Sequence, residues 1–206
     1  MRSSFRWAAG AALVLWWSPA PASADSAWAA DRTTGCKVWD DEPQPAETVT
    51  WSGACVGGYA DGPGSVQWFE HGQPTGYQEG TFRRGKMNGK GYSMDKDGSR
   101  YEGEYRDNML NGKGVMVVPG ADGGRYVGDF VDDNREGYGV YAWSNGDRYE
   151  GEWRNDKREG RGIYVWANGA RYEGEWRANQ MHGRGVYVNN SIRKEGMWEN
   201  DEFTGR

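Results

Sequence analysis

Apolar and polar positions alternate along most of this chain, within a unit that recurs. In Tyr149-Glu150-Gly151-Glu152-Trp153 the rings and the glycine fall on every second residue, with acids between them. That is strand period, with one apolar and one charged face; a helix repeats every 3.6 residues. The same phrase stands at Tyr101-Glu102-Gly103-Glu104-Tyr105, Tyr126-Val127-Gly128-Asp129-Phe130 and Tyr172-Glu173-Gly174-Glu175-Trp176. Each is followed by Gly-x-Gly eleven residues after its leading Tyr, at Gly112/Gly114, Gly137/Gly139, Gly160/Gly162 and Gly183/Gly185. Starts 126, 149 and 172 are 23 residues apart, and 101 and 126 are 25 apart. A second alternating run follows the glycines, as in Gly162-Ile163-Tyr164-Val165-Trp166, so each unit predicts a β-hairpin. Asn145-Gly146 and Asn168-Gly169 predict two-residue turns, with Asp97-Gly98 close behind. The other connection is a polar stretch such as Asn155-Asp156-Lys157-Arg158-Glu159.

Numbering the leading Tyr as position 0, the rule is an aromatic at 0 and +4 and Gly at +2, +11 and +13. Trp51, Gly53, Cys55, Gly62 and Gly64 follow it, with Cys at the second aromatic position. Gln78, Gly80, Phe82, Gly89 and Gly91 follow it with the first aromatic displaced to Tyr77. Lys194, Gly196, Trp198 and Gly205 begin a last copy. Seven copies over 51–206 predict an all-β, elongated, single-layer array of antiparallel hairpins, degenerate at its ends as caps are.

Composition fits a thin structure. From residue 25 onward Leu110 is the only Leu, and Ile163 and Ile192 the only Ile, beside 33 glycines in the whole chain. Rings packed over glycines replace a thick aliphatic core. Residues 1–24 read separately: Arg2 and Arg6 precede an apolar run, Trp7 to Trp17, that ends at a small-x-small pattern before Asp25. This predicts a signal peptide cleaved after Ala24, and a periplasmic or secreted protein. The run of about 11 residues is shorter than the roughly 20 of a membrane-spanning helix. Residues 25–50, broken by Pro43 and Pro45, are expected to form a loop and cap. The two cysteines, Cys36 and Cys55, form an even pair in an exported chain and read as a disulfide stapling that cap. The net charge is −5, more negative once the leader is gone, which argues against nucleic acid or anionic lipid as the main partner.

The Tyr-Glu-Gly-Glu-Trp phrase with its Gly-x-Gly, at a 23-residue period, resembles the MORN (membrane occupation and recognition nexus) repeat. The stretch from Cys36-Lys37-Val38-Trp39 to Cys55 also looks like the opening of exported bacterial proteins of that type. The resemblance implies an array of hairpins with binding and scaffold roles. Some proteins with these repeats carry a separate kinase or methyltransferase domain, for which this chain has no room.

Alternation puts Arg100, Arg125, Arg148, Arg171 and Arg193 at position −1 on one face, beside acids at +1 and +3. Cross-strand pairing and solubility are the plain reading of that face, a charged docking stripe the sharper one. On the other face Tyr149, Trp153, Tyr172 and Trp176 are core or partner-binding residues. Tyr141, Trp143, Tyr164 and Trp166 are the better candidates for a groove that takes a peptide or a stacked sugar chain. His71 and His182 stand far apart with no ligand spacing around them, so neither a metal nor a cofactor is expected. Asp95-Lys96-Asp97-Gly98 is similar to the start of a calcium loop but has Arg106 where the last acid belongs. Acids that recur with the fold do not make a singular catalytic pair. The expected function is therefore a non-catalytic exported scaffold that binds protein, itself included as a homodimer. The alternatives are a binder of envelope glycan or phospholipid headgroups through the aromatic rows and, further off, an envelope carbohydrate hydrolase.

Overall fold

The computed structural model describes residues 27–205 apart from 42 and 45. The expected leader, 1–24, lies outside the described residues. The fold is all-β, with seventeen strands and no helix among the described residues. The described residues pack as two compact units that divide between Lys96 and Asp97.

The first unit holds β1 (Ala27–Ala30), β2 (Lys37–Asp40), β3 (Glu47–Trp51), β4 (Ala54–Val56), β5 (Tyr59–Glu70), β6 (Gln73–Arg83) and β7 (Lys86–Asp95). The segment expected to be loop thus carries three short strands. The long β5 gathers the cap, pairing with β3 along 66–70 and with β4 along 59–61. The expected disulfide is present: Cys36, fully buried, is bonded to Cys55 with their Cα atoms 5.7 Å apart. Asp31 adds a second tie. One carboxylate oxygen accepts the N–H groups of Thr33 and Thr34 at 2.7 and 2.8 Å, and the other that of Trp51 at 2.8 Å. Burial alone would raise its pKa, but these three donors outweigh it and hold the carboxyl below the usual range. Trp51 takes the leading-Tyr role, its ring lying where β-carbons on Gly53 and Gly64 would be. Tyr77 does not. It is one residue out of phase, so the pleat turns it to the charged face, where its hydroxyl donates to Glu79 at 2.8 Å. The buried ring beside Gln78 is that of Trp68.

The second unit holds β8 (Arg100–Arg106), β9 (Met109–Val118), β10 (Gly124–Val131), β11 (Asn134–Trp143), β12 (Arg148–Arg154), β13 (Lys157–Val165), β14 (Arg171–Arg177), β15 (Gln180–Val188), β16 (Arg193–Glu199) and β17 (Glu202–Gly205). Each pairs antiparallel with the next. The tight two-residue turns are not the expected Asn-Gly pairs. They are Asp107-Asn108, Asp132-Asp133, Asn155-Asp156, Ala178-Asn179 and Asn200-Asp201, with positive φ at both residues, as in a type I′ turn. Asn145-Gly146 instead sits in a three-residue loop. The Gly146 N–H donates to the Trp143 carbonyl and the Trp143 N–H to that of Asp147, a turn followed by a left-handed glycine. The 167–169 loop repeats this geometry.

The turns explain why neighbouring hairpins stay in register. The second residue of four of these tight turns reaches back to the preceding hairpin. Asp156 Oδ1 accepts the Arg135 N–H at 2.9 Å, while the Asp156 N–H donates to the Arg135 carbonyl at 3.2 Å. Asp133 does the same to Leu110, Asn179 to Arg158 and Asp201 to Met181.

Rings and glycines make the core. Gly103, Gly114, Gly128, Gly139, Gly151, Gly162, Gly174, Gly185 and Gly196 face one another strand by strand in a single row. The leading tyrosines lie on this row, so a β-carbon at Gly114, Gly139, Gly162 or Gly185 would overlap a phenol. A bulge after each first-strand glycine frees a carbonyl that the phenol then takes: Tyr149 donates to Glu152 and Tyr172 to Glu175, both at 3.0 Å. Between hairpins the rings meet edge to face. Tyr101, Phe130, Tyr126, Trp153, Tyr149, Trp176, Tyr172 and Trp198 form one series with centroids 5.1–5.5 Å apart and planes at 80–90°. Each such contact contributes about 0.5–1.5 kcal/mol beyond area burial, which lets a structure so poor in Leu and Ile hold together.

Candidate functional site

The glycine row has a second side. Its missing β-carbons point to the rings, so the residues between the glycines point the other way and border a trough of about 750 Å³ on the charged face. The floor is the backbone of Gly151, Gly162, Gly174, Gly185 and Gly196. Along one wall stand cross-strand neighbours Glu150, Ile163, Glu173, Val186 and Glu195. Along the other stand Tyr138, Arg161, Glu175, Arg184 and Met197.

The charges on the two walls are not equivalent. Glu173 and Glu195 take ion pairs at 2.7 Å from Arg171 and Arg193, two residues before them on the same strand, and Arg148 pairs with Glu150 in the same way. The pairing therefore runs along strands where cross-strand pairing was expected, because the −1 and +1 side chains share a face. Glu150 also accepts the Tyr138 hydroxyl at 2.9 Å. The Arg148 guanidinium and then this hydroxyl hold its carboxyl below the usual range. The first wall is thus charge-compensated, with two half-buried aliphatics. On the second wall, Glu175 accepts the Arg184 backbone N–H at 3.1 Å. The guanidinium groups of Arg161 and Arg184 are exposed and enter no ion pair among the described residues. Tyr138 and Met197 are 56% and 41% exposed, so the trough combines apolar surface with two uncommitted cations.

The aromatic residues picked out from the sequence occupy the opposite face. Tyr149 and Tyr172 are fully buried, and Trp153 and Trp176 are nearly so. Their rings are used up in the edge-to-face series, and the two indole N–H groups donate to the carbonyls of Gly139 and Gly162. Tyr141 and Tyr164 are also buried, while Trp143 and Trp166 are half-buried. These four form a shingled row that continues to Tyr187.

Two arginines support that row. Arg135 lies 4.3 Å from the Trp153 ring centroid and 5.4 Å from that of Tyr141, with its Nε donating to Asp156 at 2.9 Å. Arg158 lies 4.5 Å from Trp176 and 5.0 Å from Tyr164. Burial lowers the pKa of both, yet both stay charged in the reach of ring faces and, for Arg135, a carboxylate. The polar stretch 155–159, assigned to a connection, hid Arg158, and Arg135 holds the same place one repeat earlier. The available signal was their place in the repeat, where Met87, Leu110 and Met181 are apolar. No group of three or more His, Cys, Asp or Glu side chains suited to a metal ion occurs among the described residues.

The MORN repeat family model matches residues 79–100, 101–119, 126–148, 149–171 and 172–191, just over half of the chain. Alsin from Rattus norvegicus, Mus musculus and Homo sapiens is similar at 29% identity over 120 residues, covering 45% of this chain and 7% of alsin. The chain therefore corresponds to a small fraction of the length of these relatives.

Proposed function

Because the chain belongs to the MORN repeat family, we propose that it is a non-catalytic binding scaffold whose charged-face trough holds an extended segment of a partner protein. MORN repeats are generally protein- or membrane-binding modules. The observation that carries the choice of protein is the trough itself: aliphatic and aromatic surface from Ile163, Val186 and Tyr138, with the unpaired guanidiniums of Arg161 and Arg184 beside it. A segment with alternating apolar and acidic side chains meets both needs, because a strand spaces its side chains as the trough spaces its walls. The overall charge of −5 disfavours an anionic bilayer or nucleic acid.

Export of a bacterial-type member of the family goes with this reading. The leader pattern in residues 1–24 supports it, as does a disulfide in so small a cap, a bond that persists in oxidising compartments. The cap over 25–50 then precedes a binding array over 51–206.

The test is capture by the immobilised chain from an envelope extract, with wild type beside an Arg161→Glu/Arg184→Glu double variant. A defined protein retained by the wild type and lost by the double variant is the expected outcome. Equal retention by both would remove the trough from the function.

A further inference from the structure

Two adjacent repeats, 126–148 and 149–171, depart from the others together. Position +17 is Trp143 and Trp166 in these two but Val118 and Asn189 in the flanking copies. Position +9 is Arg135 and Arg158 in the same two. The paired departures meet through one tyrosine each. Tyr141 lies between Arg135 and Trp143, its ring centroid 4.4 Å from that of Trp143, and Tyr164 lies between Arg158 and Trp166, 4.7 Å from the indole.

The two indoles differ from the others of this unit. Trp153, Trp176 and Trp198 are buried and donate their N–H groups to glycine carbonyls at 3.2–3.3 Å. Trp143 and Trp166 are half-buried, and their N–H groups meet no acceptor among the described residues. The loops at the border present amides, and the carboxylate there is already engaged. The loops after the two tryptophans are Ser-Asn-Gly (144–146) and Ala-Asn-Gly (167–169), all exposed. The one acid beside them, Asp147, already accepts the Tyr164 hydroxyl at 2.6 Å and the Ala167 N–H at 2.9 Å.

We propose that Trp143 and Trp166, the two part-exposed indoles held on either side of the buried Tyr164, bind an uncharged, β-linked hexopyranose chain. Aromatic surface with N–H donors and amide side chains, and with the carboxylate at its edge engaged, complements the C–H faces and hydroxyls of neutral sugars. A phosphate or carboxylate ligand would find no free cation here, since Arg135 and Arg158 are enclosed by the rings. The spacing agrees. Trp143 and Trp166 are one repeat and two strands apart, about 9.6 Å at the usual strand separation. That is close to the disaccharide repeat of an extended β-1,4-linked chain, so each indole would meet an equivalent unit. The strip lies on the face opposite the trough and does not depend on what the trough binds.

The experiment titrates the full chain with chitohexaose and with cellohexaose, following tryptophan fluorescence and heat. At least one hexamer is expected to bind saturably, and its disaccharide at least tenfold more weakly. Trp143→Ala and Trp166→Ala should each weaken the hexamer at least tenfold. Thermal melts accompany each variant, and Arg154→Ala, an exposed change outside both the strip and the trough, is the neutral control. Trp166→Phe, which keeps most of the packing but removes the N–H, should weaken binding several-fold with an unchanged melt. Absence of binding to both hexamers overturns the proposal, as does binding that survives the tryptophan changes. So does tryptophan-dependent binding to phosphatidylglycerol vesicles without binding to either hexamer.

Discussion

Tyr149 lies over Gly162 so closely that a β-carbon on that glycine would overlap the phenol ring. The contact joins the first strand of a hairpin to its second and repeats in Tyr101 on Gly114, Tyr126 on Gly139 and Tyr172 on Gly185. Gly162→Ala should cost about 1–3 kcal/mol by overpacking, lowering the melting temperature by several degrees. Gly169→Ala is the comparison. It has open space around it but a φ of +84°, so only backbone strain of about 1 kcal/mol acts there. Thermal melts of the two variants should rank Gly162→Ala as the more damaging.

The buried Arg135 separates two meanings of a buried charge. Asp156→Ala should cost about 3 kcal/mol or more, because it leaves the guanidinium without its carboxylate. Asp156→Asn should cost less, since Asn179 makes the equivalent backbone contact to Arg158. Arg135→Met should be neutral or stabilising, as the same position is Met181 in a later repeat. Urea denaturation of the three variants checks the order.

Ala178 is the odd residue among the tight turns. It holds a φ of +47° where the other copies of the second unit have Asp107, Asp132, Asn155 and Asn200. Asn tolerates this region better than Ala, so Ala178→Asn should stabilise by about 1 kcal/mol, seen as a higher melting temperature.

Alkaline pH should loosen the ring face within a definite window. Burial pushes the Tyr172 phenol up from 10.0 to about 12, and burial raises Tyr101, Tyr126 and Tyr149 as well. Between those values the unfolded chain releases protons that the folded chain keeps, so stability falls as pH rises. The contribution is whole below about pH 10 and is lost as pH passes about 12. Tyrosinate absorbance should therefore rise in step with loss of β-sheet circular dichroism across this range.

Much of the fold can be read from spacing, because a strict period of two exposes faces without knowledge of any neighbour. The face of the repeat rings and the glycines beneath them follow from that alone, while the disulfide follows from there being two cysteines. The turns could not be ranked in this way. Asn-Gly is a strong local signal, yet the tight turns fell on pairs such as Asn155-Asp156, whose carboxylate is held by Arg135 in the preceding hairpin. The site was also only half legible. Tyr141, Trp143, Tyr164 and Trp166 stand out in the sequence together as second-strand rings, and only burial separates the two part-exposed indoles from the two enclosed tyrosines.

The sequence by itself determined an all-β hairpin array with rings on one face and charges on the other, since side-chain alternation is a property of any extended strand. Tertiary structure alone decided which rings are interior, which arginines are enclosed, and that the charged face contains a trough. Those outcomes depend on how successive hairpins stack. Arg135 and Asp156, like Tyr126 and Trp153, belong to different repeats, so no single repeat contains both partners of these contacts.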